Sequence, residues 1–268
     1  MTTKAHAAQA ATVPAALRSA VEAAYAAFQR HRAPQTLDVC TGCCMDVALE
    51  REMRSLPLRK ITAHHFYEYN SSAKSSVQPP EELLYLLPRL LELLAQGEEL
   101  HHSTELYLDR LGRCPADALS RQERAAVDAF ALAFFREGLG HGARKPSPFN
   151  GANAFDILLM LHIGGIAIAP LLAHWLEDDR ASAVLHYADG SYWDFWGTQR
   201  IRNAFAGDRP AFQATMADWL LDADHRQRFA RKILAIDAQS LEDPKPCGCG
   251  SHMGPRQILE AVFDVISE

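Results

Sequence analysis

The stretch from Pro79 to Leu94 constrains the fold more than any other part of the chain. Two prolines open it, and proline is favoured in the first turn of a helix, where its missing N–H is no loss. Leucines then occupy nearly every face. A helix that is apolar all round must be buried on several sides, so other helices have to surround it. Pro88 interrupts the pattern and is expected to kink or divide the helix, because a mid-helix proline removes a hydrogen bond and crowds the preceding turn.

Helical spacing continues on both sides. Leu17, Val21, Ala24 and Phe28 form a stripe within a helix over 14–30. A short helix is expected over 46–55, and Thr62 can cap a third that carries His64, His65, Tyr67 and Tyr69. Ser120 and Glu123 form a capping box before the stripe Val127, Phe130, Ala131 and Phe134. Gly138, Gly140 and Gly142 end that helix, and a polar loop runs on to about Asn153. Short helices follow over 154–163, 169–177, 180–188, 192–206, 210–221 and 225–236, with Trp175, Trp193, Trp196 and Trp219 as anchors. The last begins at Pro255 and turns Leu259, Val262, Phe263 and Ile266 to the core.

No segment alternates as a strand would. The fold class is therefore all-α, either a multi-helix bundle or an irregular, HEAT-like helical-repeat array. A single helical domain over 1–268 is expected, divisible into 1–137 and 154–268 at the Gly/Pro-rich loop 138–153.

With 48% apolar residues, the chain can bury a core without covalent staples. Its formal charge of −6, from 27 Lys and Arg against 33 Asp and Glu, opposes a broad nucleic-acid surface. Arg226, Arg228, Arg231 and Lys232 form a local basic run, read as the wet side of a helix whose Phe229 and Ile233 face inward. Ile157 to Leu176 is uncharged and long enough to span a bilayer. Gly164-Gly165 and Pro170 split it, which predicts a buried hairpin and no membrane partner. The Ala-rich N-terminus lacks the pattern of a secretory signal, so a reducing, cytoplasmic setting is expected.

Five of the six cysteines fall in two short runs, Cys40-Thr-Gly-Cys43-Cys44 and Cys247-Gly-Cys249, with His252 close behind the second. In a reducing compartment such spacing points to metal or redox chemistry rather than structural disulfides. Zinc takes four Cys or His ligands in a tetrahedron. Cys40, Cys43, Cys247 and Cys249 supply that set, with Cys44 or His252 as substitutes. Gly42 is expected to relax the tight backbone of the first turn. Four thiolates would close the ion's coordination shell and make it structural, joining the two ends of the fold. Three side-chain ligands would instead leave a water-bearing, catalytic position.

Other patterns are weaker. His101, Glu105 and Asp109 would share one face of a helix, as a metal site or, more simply, as a solvated polar face. Adjacent His64 and His65 cannot both point one way. The glycines at 138–142, with Arg144 and Lys145, could cradle a phosphate but follow a helix rather than a strand. Glu177-Asp178-Asp179 reads as a solvated loop or a cap.

Two resemblances attach to these motifs. Cys247-Gly-Cys249-Gly-Ser251 resembles the opening of the SEC-C zinc motif, which continues with a second ligand pair that only Cys40 and Cys43 could supply here. Cys40–Met45, Tyr69–Ala73 and the Tyr85–Leu93 run containing Leu-Pro88-Arg89 resemble a set of uncharacterised bacterial helical proteins. That likeness implies an all-helical fold and brings no activity with it. The expected function is a protein-binding scaffold with a structural zinc. A metal-dependent or thiol-redox enzyme using the same loops, and a nucleic-acid-associated module, are the alternatives.

Overall fold

The computed structural model describes residues 13–142, 147–237 and 253–268, and all the regular structure among them is helical. In chain order the helices are α1 (Ala15–Phe28), α2 (Val47–Ser55), α3 (Ala63–Ser71), α4 (Pro80–Ala95), α5 (Asp109–Gly112) and α6 (Arg121–Leu139). They continue as α7 (Ala154–Ile163), α8 (Ala169–Glu177), α9 (Ala181–Asp194), α10 (Pro210–Leu221), α11 (Ala223–Leu234) and α12 (Pro255–Ser267).

The leucines of α4 are buried along its whole length, and the partly exposed Tyr85, Arg89 and Glu92 mark a polar stripe between them. Its α1 neighbour turns Leu17, Val21, Ala24 and Phe28 inward and packs on α4 and α6 together. The far side of α6 meets α7, α8 and α9, and α9 carries α11 and α12. One contiguous apolar cluster therefore runs from Leu17 to Ile266. Contacts such as α1 with α6 and α9 with α12 join elements distant in sequence. A solenoid instead stacks each repeat on its immediate neighbours, so the packing is that of a bundle rather than a HEAT-like array.

Local chemistry sets most of the boundaries. The Asp46 carboxylate accepts from the N–H groups of Ala48 (2.7 Å) and Leu49 (3.3 Å) and starts α2. At α3, His65 Nδ1 lies 2.7 Å from the Thr62 hydroxyl and accepts from the Thr62 N–H. His65 is buried and His64 exposed, as adjacent positions on a helix demand. The Ser120–Glu123 box opens α6. Glu123 also takes Arg30 and His31 from the end of α1, so one buried carboxylate ties two helices together.

The helix expected over 192–206 and Trp193 as an anchor are corrected, while Pro88 and the stretch Ile157–Leu176 stay within what was expected. Of the two outcomes expected at Pro88, division does not occur: α4 runs through it as one helix, with leucines buried on both sides of the proline. The expected helix over 192–206 does not form. Instead α9 runs on to Asp194, after which the chain folds back until the Arg202 N–H reaches the Asp194 carbonyl at 3.1 Å. Gln199 has φ 52°, a left-handed conformation no α-helix accommodates. Trp193, on α9, is 50% exposed and is no core anchor, while Trp175 and Trp219 are the buried anchors. The stretch Ile157–Leu176 is two helices separated by Gly164 and Gly165, and among the described residues no helix is long and apolar enough to cross a membrane.

One close approach joins the two parts of the chain. A Cβ on Gly112 would stand 1.8 Å from the Ile163 carbonyl oxygen, so only glycine lets α5 reach the end of α7.

Candidate metal centre

The first cysteine run lies on the loop between α1 and α2, and its backbone is fixed at both ends. The Cys40 N–H donates to the Ala73 carbonyl at 3.0 Å, and the Met45 N–H donates to the Cys40 carbonyl at 3.0 Å. Met45 is buried beneath the loop, and Asp46 immediately caps α2. On the other side the Asp38 carboxylate accepts from the Ser75 N–H and hydroxyl, both at 2.9 Å.

This frame gathers three thiols. Cys40 Sγ lies 3.5 Å from Cys43 Sγ, which lies 3.5 Å from Cys44 Sγ, and all three atoms fall within 4.8 Å of one another. Sulfurs at two corners of a zinc tetrahedron with bonds of about 2.3 Å stand about 3.8 Å apart, so the trio is close to ligating distance. Cys40 is half-buried; Cys43 and Cys44 are exposed. The backbone N–H and side chain of Cys43, then the N–H of Gly42, lower the Cys40 thiol from 9.0 to about 7. Donating to Cys40, Cys43 is itself pushed up to about 11. The cluster thus stabilises one thiolate even before an ion gathers the rest. A Cys40–Cys43–Cys44 group can hold a metal ion.

Gly42 is not needed for the reason expected. Its φ lies outside the left-handed region, and a Cβ there would meet only Cys40 Sγ, at an ordinary 4.0 Å.

Beneath the loop is a buried polar cluster that no motif announced. Glu82 Oε2 accepts from the Asp38 N–H at 2.6 Å, while Oε1 accepts from the Tyr69 hydroxyl and, at 3.1 Å, from Gln78. Arg110, 1% exposed, donates to the carbonyls of Asp38 (3.0 Å) and Tyr69 (2.5 Å) and to Gln78 Oε1 (2.7 Å). Its guanidinium sits 3.7 Å over the Tyr69 ring and 3.8 Å from Glu82. Burial raises the Glu82 carboxyl, while Tyr69, the Asp38 N–H and Arg110 act to keep it ionised. Because Glu82 and Arg110 both grip the main chain of Asp38, two residues before Cys40, they set where the cysteine loop begins. No motif in the sequence singles out Glu82 or Arg110; it is their burial, at 3% and 1% exposed, that marks them.

No family of known proteins, no characterised protein and no solved structure matches this chain. The resemblances to the SEC-C motif and to bacterial helical proteins therefore rest on their motif residues alone.

The remaining candidates separate. Cys247, Cys249 and His252 lie outside the described residues, as do Arg144 and Lys145. His101, Glu105 and Asp109 do not share a helix face: Glu105 lies in a short 3-10 turn over Thr104–Leu106, α5 begins only at Asp109, and each side chain has its own partners. His101 Nδ1 accepts from the Ser103 N–H, Glu105 meets Asn203, and Asp109 pairs with Lys74 at 2.9 Å and Arg113 at 2.8 Å. His101 and Asp109 are also buried, so this is no solvated face. At the glycine run, a Cβ on Gly138 would strike the Phe149 ring at 1.9 Å, which gives that glycine a packing role.

The acidic and basic runs meet each other. Arg228 pairs with Glu177 at 2.8 Å, and Lys232 with Asp179 at 3.0 Å while donating to the carbonyls of Leu176 and Asp178. Two of the four cations that made residues 226–232 look basic are thus engaged within the fold.

Proposed function

We propose that the chain is a helical protein-interaction scaffold stabilised by a zinc ion on Cys40, Cys43 and Cys44, with a fourth ligand from Cys247, Cys249 or His252. The observation that carries this reading is the gathering of three sulfurs within 4.8 Å on a loop held by its own backbone bonds. Three thiolates in one loop suit a soft or borderline ion, and zinc takes a tetrahedral, sulfur-rich shell without redox chemistry of its own. Cys44, a substitute ligand in the sequence reading, becomes a primary one, so a single residue of the second run completes the shell. The scaffold role is supported by an open groove between α11 and α12, where 70%-exposed Leu234 faces Phe263 and Ile266, a surface suited to a peptide or helix.

Metal analysis of the purified full chain tests the reading, with one equivalent of zinc expected. Cobalt substitution then reports the shell through its thiolate-to-metal absorption. Cys43→Ser should abolish binding, and Cys40→Ser should lower the melting temperature by about as much as whichever of Cys247→Ser, Cys249→Ser or His252→Ala removes the fourth ligand. A chain that folds identically with and without a chelator, and carries only traces of metal, sinks the proposal.

The exposure of Cys43 and Cys44 favours one other reading, an enzyme whose ion keeps a water in the fourth position. In that case Cys247→Ser, Cys249→Ser and His252→Ala each leave the cobalt spectrum unchanged.

A further inference from the structure

We propose that Cys40 and Cys43 are the closing pair of a reversible disulfide, formed when hydrogen peroxide reaches the loop, and that its formation releases the metal ion. The inference rests on the metal reading for the released ion but not for the choice of pair.

Geometry selects that pair. Cys40 and Cys43 sulfurs are 3.5 Å apart, and so are those of Cys43 and Cys44. Yet adjacent residues have Cα atoms about 3.8 Å apart across a trans peptide, shorter than the roughly 4.4–6.8 Å a disulfide spans. The Cys43–Cys44 bond would need the peptide itself to distort, whereas two intervening residues free Cys40 and Cys43 from that limit. The bonds from the Cys40 N–H to Ala73 and from the Met45 N–H to the Cys40 carbonyl do not involve the side chains. Closing the sulfurs to about 2.05 Å therefore asks mainly for side-chain rotation. The fourth described cysteine, Cys114, is half-buried and outside the group.

On the ion both sulfurs are thiolates, so access decides which reacts first, and Cys43 is the exposed one of the pair. Its sulfur attacks one peroxide oxygen, the O–O bond breaks, and with one proton taken up a water departs, leaving a sulfenic acid on Cys43. The Cys40 thiolate then attacks the Cys43 sulfur. The S–S bond forms as the S–O bond breaks, and the hydroxide takes a second proton to leave as water. Two electrons pass from the sulfur pair to one peroxide, which ends as two waters. Of the three sulfurs only Cys44 remains a thiolate, and the ion loses two ligands at once. A solvent-exposed disulfide is open to thiol exchange, so a dithiol restores the site.

The test uses the full chain, reduced, zinc-loaded and then exposed to hydrogen peroxide. A chromophoric chelator follows zinc, and peptide mapping after alkylation locates the disulfide. One zinc per chain should leave in step with a Cys40–Cys43 bond, and dithiothreitol with added zinc should reverse both. The same mapping on chelator-treated, metal-free protein should show the same bond, and Cys44→Ser should still form it. In Cys40→Ser, Cys43 should go on to sulfinic acid for lack of a resolving thiol. A chain that never takes up zinc but closes Cys40–Cys43 keeps the disulfide and defeats the metal reading together with the release step. Bonding of either cysteine to another partner, or no bond in either form, overturns the inference.

Discussion

Beneath the cysteine loop the centre of the molecule is ionic and hydrogen-bonded, whereas around α8 it is aromatic. In the first region Arg110, Glu82, Tyr69 and Gln78 are all 3% exposed or less and hold one another and the main chain by directional bonds. In the second, Trp175 lies 5.4–6.4 Å from the rings of Phe135, Phe155, Tyr187 and Trp219, contributed by four different helices. Its one polar atom is satisfied by the Ala183 carbonyl at 2.9 Å. Aromatic packing is broad and tolerant of small shifts; a buried ion pair is narrow in geometry and costly when half-broken. The difference matches what each region carries. The ionic centre fixes the start of the cysteine loop to within a hydrogen bond, and the aromatic centre gathers helices.

The largest effect should come from Trp175→Ala, which removes the ring shared by four helices and is expected to cost about 3–5 kcal/mol. Chemical denaturation measures it, and a neighbouring Trp219→Ala should add to the loss rather than relieve it. Arg110→Met should cost about 3 kcal/mol by leaving Glu82 buried without its cation. Here a second change, Glu82→Gln, should recover part of the loss, because it removes the uncompensated charge. If that double variant is no better than Arg110→Met alone, the contrast between the two regions fails.

A third, intermediate effect depends on pH. Burial would raise the Glu123 carboxyl, but hydrogen bonds from Ser120, His31 and Arg30 hold it at about 2 instead of 4.5. A carboxyl depressed in the folded state stabilises it above the unfolded pKa, and that stability is lost as pH falls from about 4.5 through about 2. The contribution is about 1–3 kcal/mol, and Glu123→Gln should flatten the stability curve over this acid window. Smallest is Gly42→Ala, expected to shift stability by less than about 0.5 kcal/mol, the range of a surface change that breaks no special feature. A large loss there would show that the cysteine loop needs a glycine after all.

Much of the fold was legible because it is written in short-range terms. The stripe of α1, the Ser120 box of α6, the glycine break between α7 and α8 and the proline start of α12 all depend on residues within one or two turns. The misread segment, 192–206, failed because the chain is turned back there by the Arg202 bond to Asp194 and by Gln199, which carry no strong local signal. At the site, spacing was enough to pair Cys40 with Cys43 and to hold Cys44 in reserve. It was not enough to reveal Arg110 and Glu82, whose meeting across 28 residues of chain depends on how α4 and α5 pack.

By itself, then, the sequence determined that the chain is helical, where most helices begin and end, and that its cysteines form tight groups. These follow from backbone hydrogen bonds, caps and apolar periodicity, all interactions between near neighbours. Only the tertiary structure decided that the helices form a bundle, that the acidic run at 177–179 neutralises part of the basic run at 226–232, and that a buried ion pair underlies the cysteine loop. Those depend on side chains far apart in sequence losing their water together, and the free energy of that step belongs to the packed assembly rather than to any one segment.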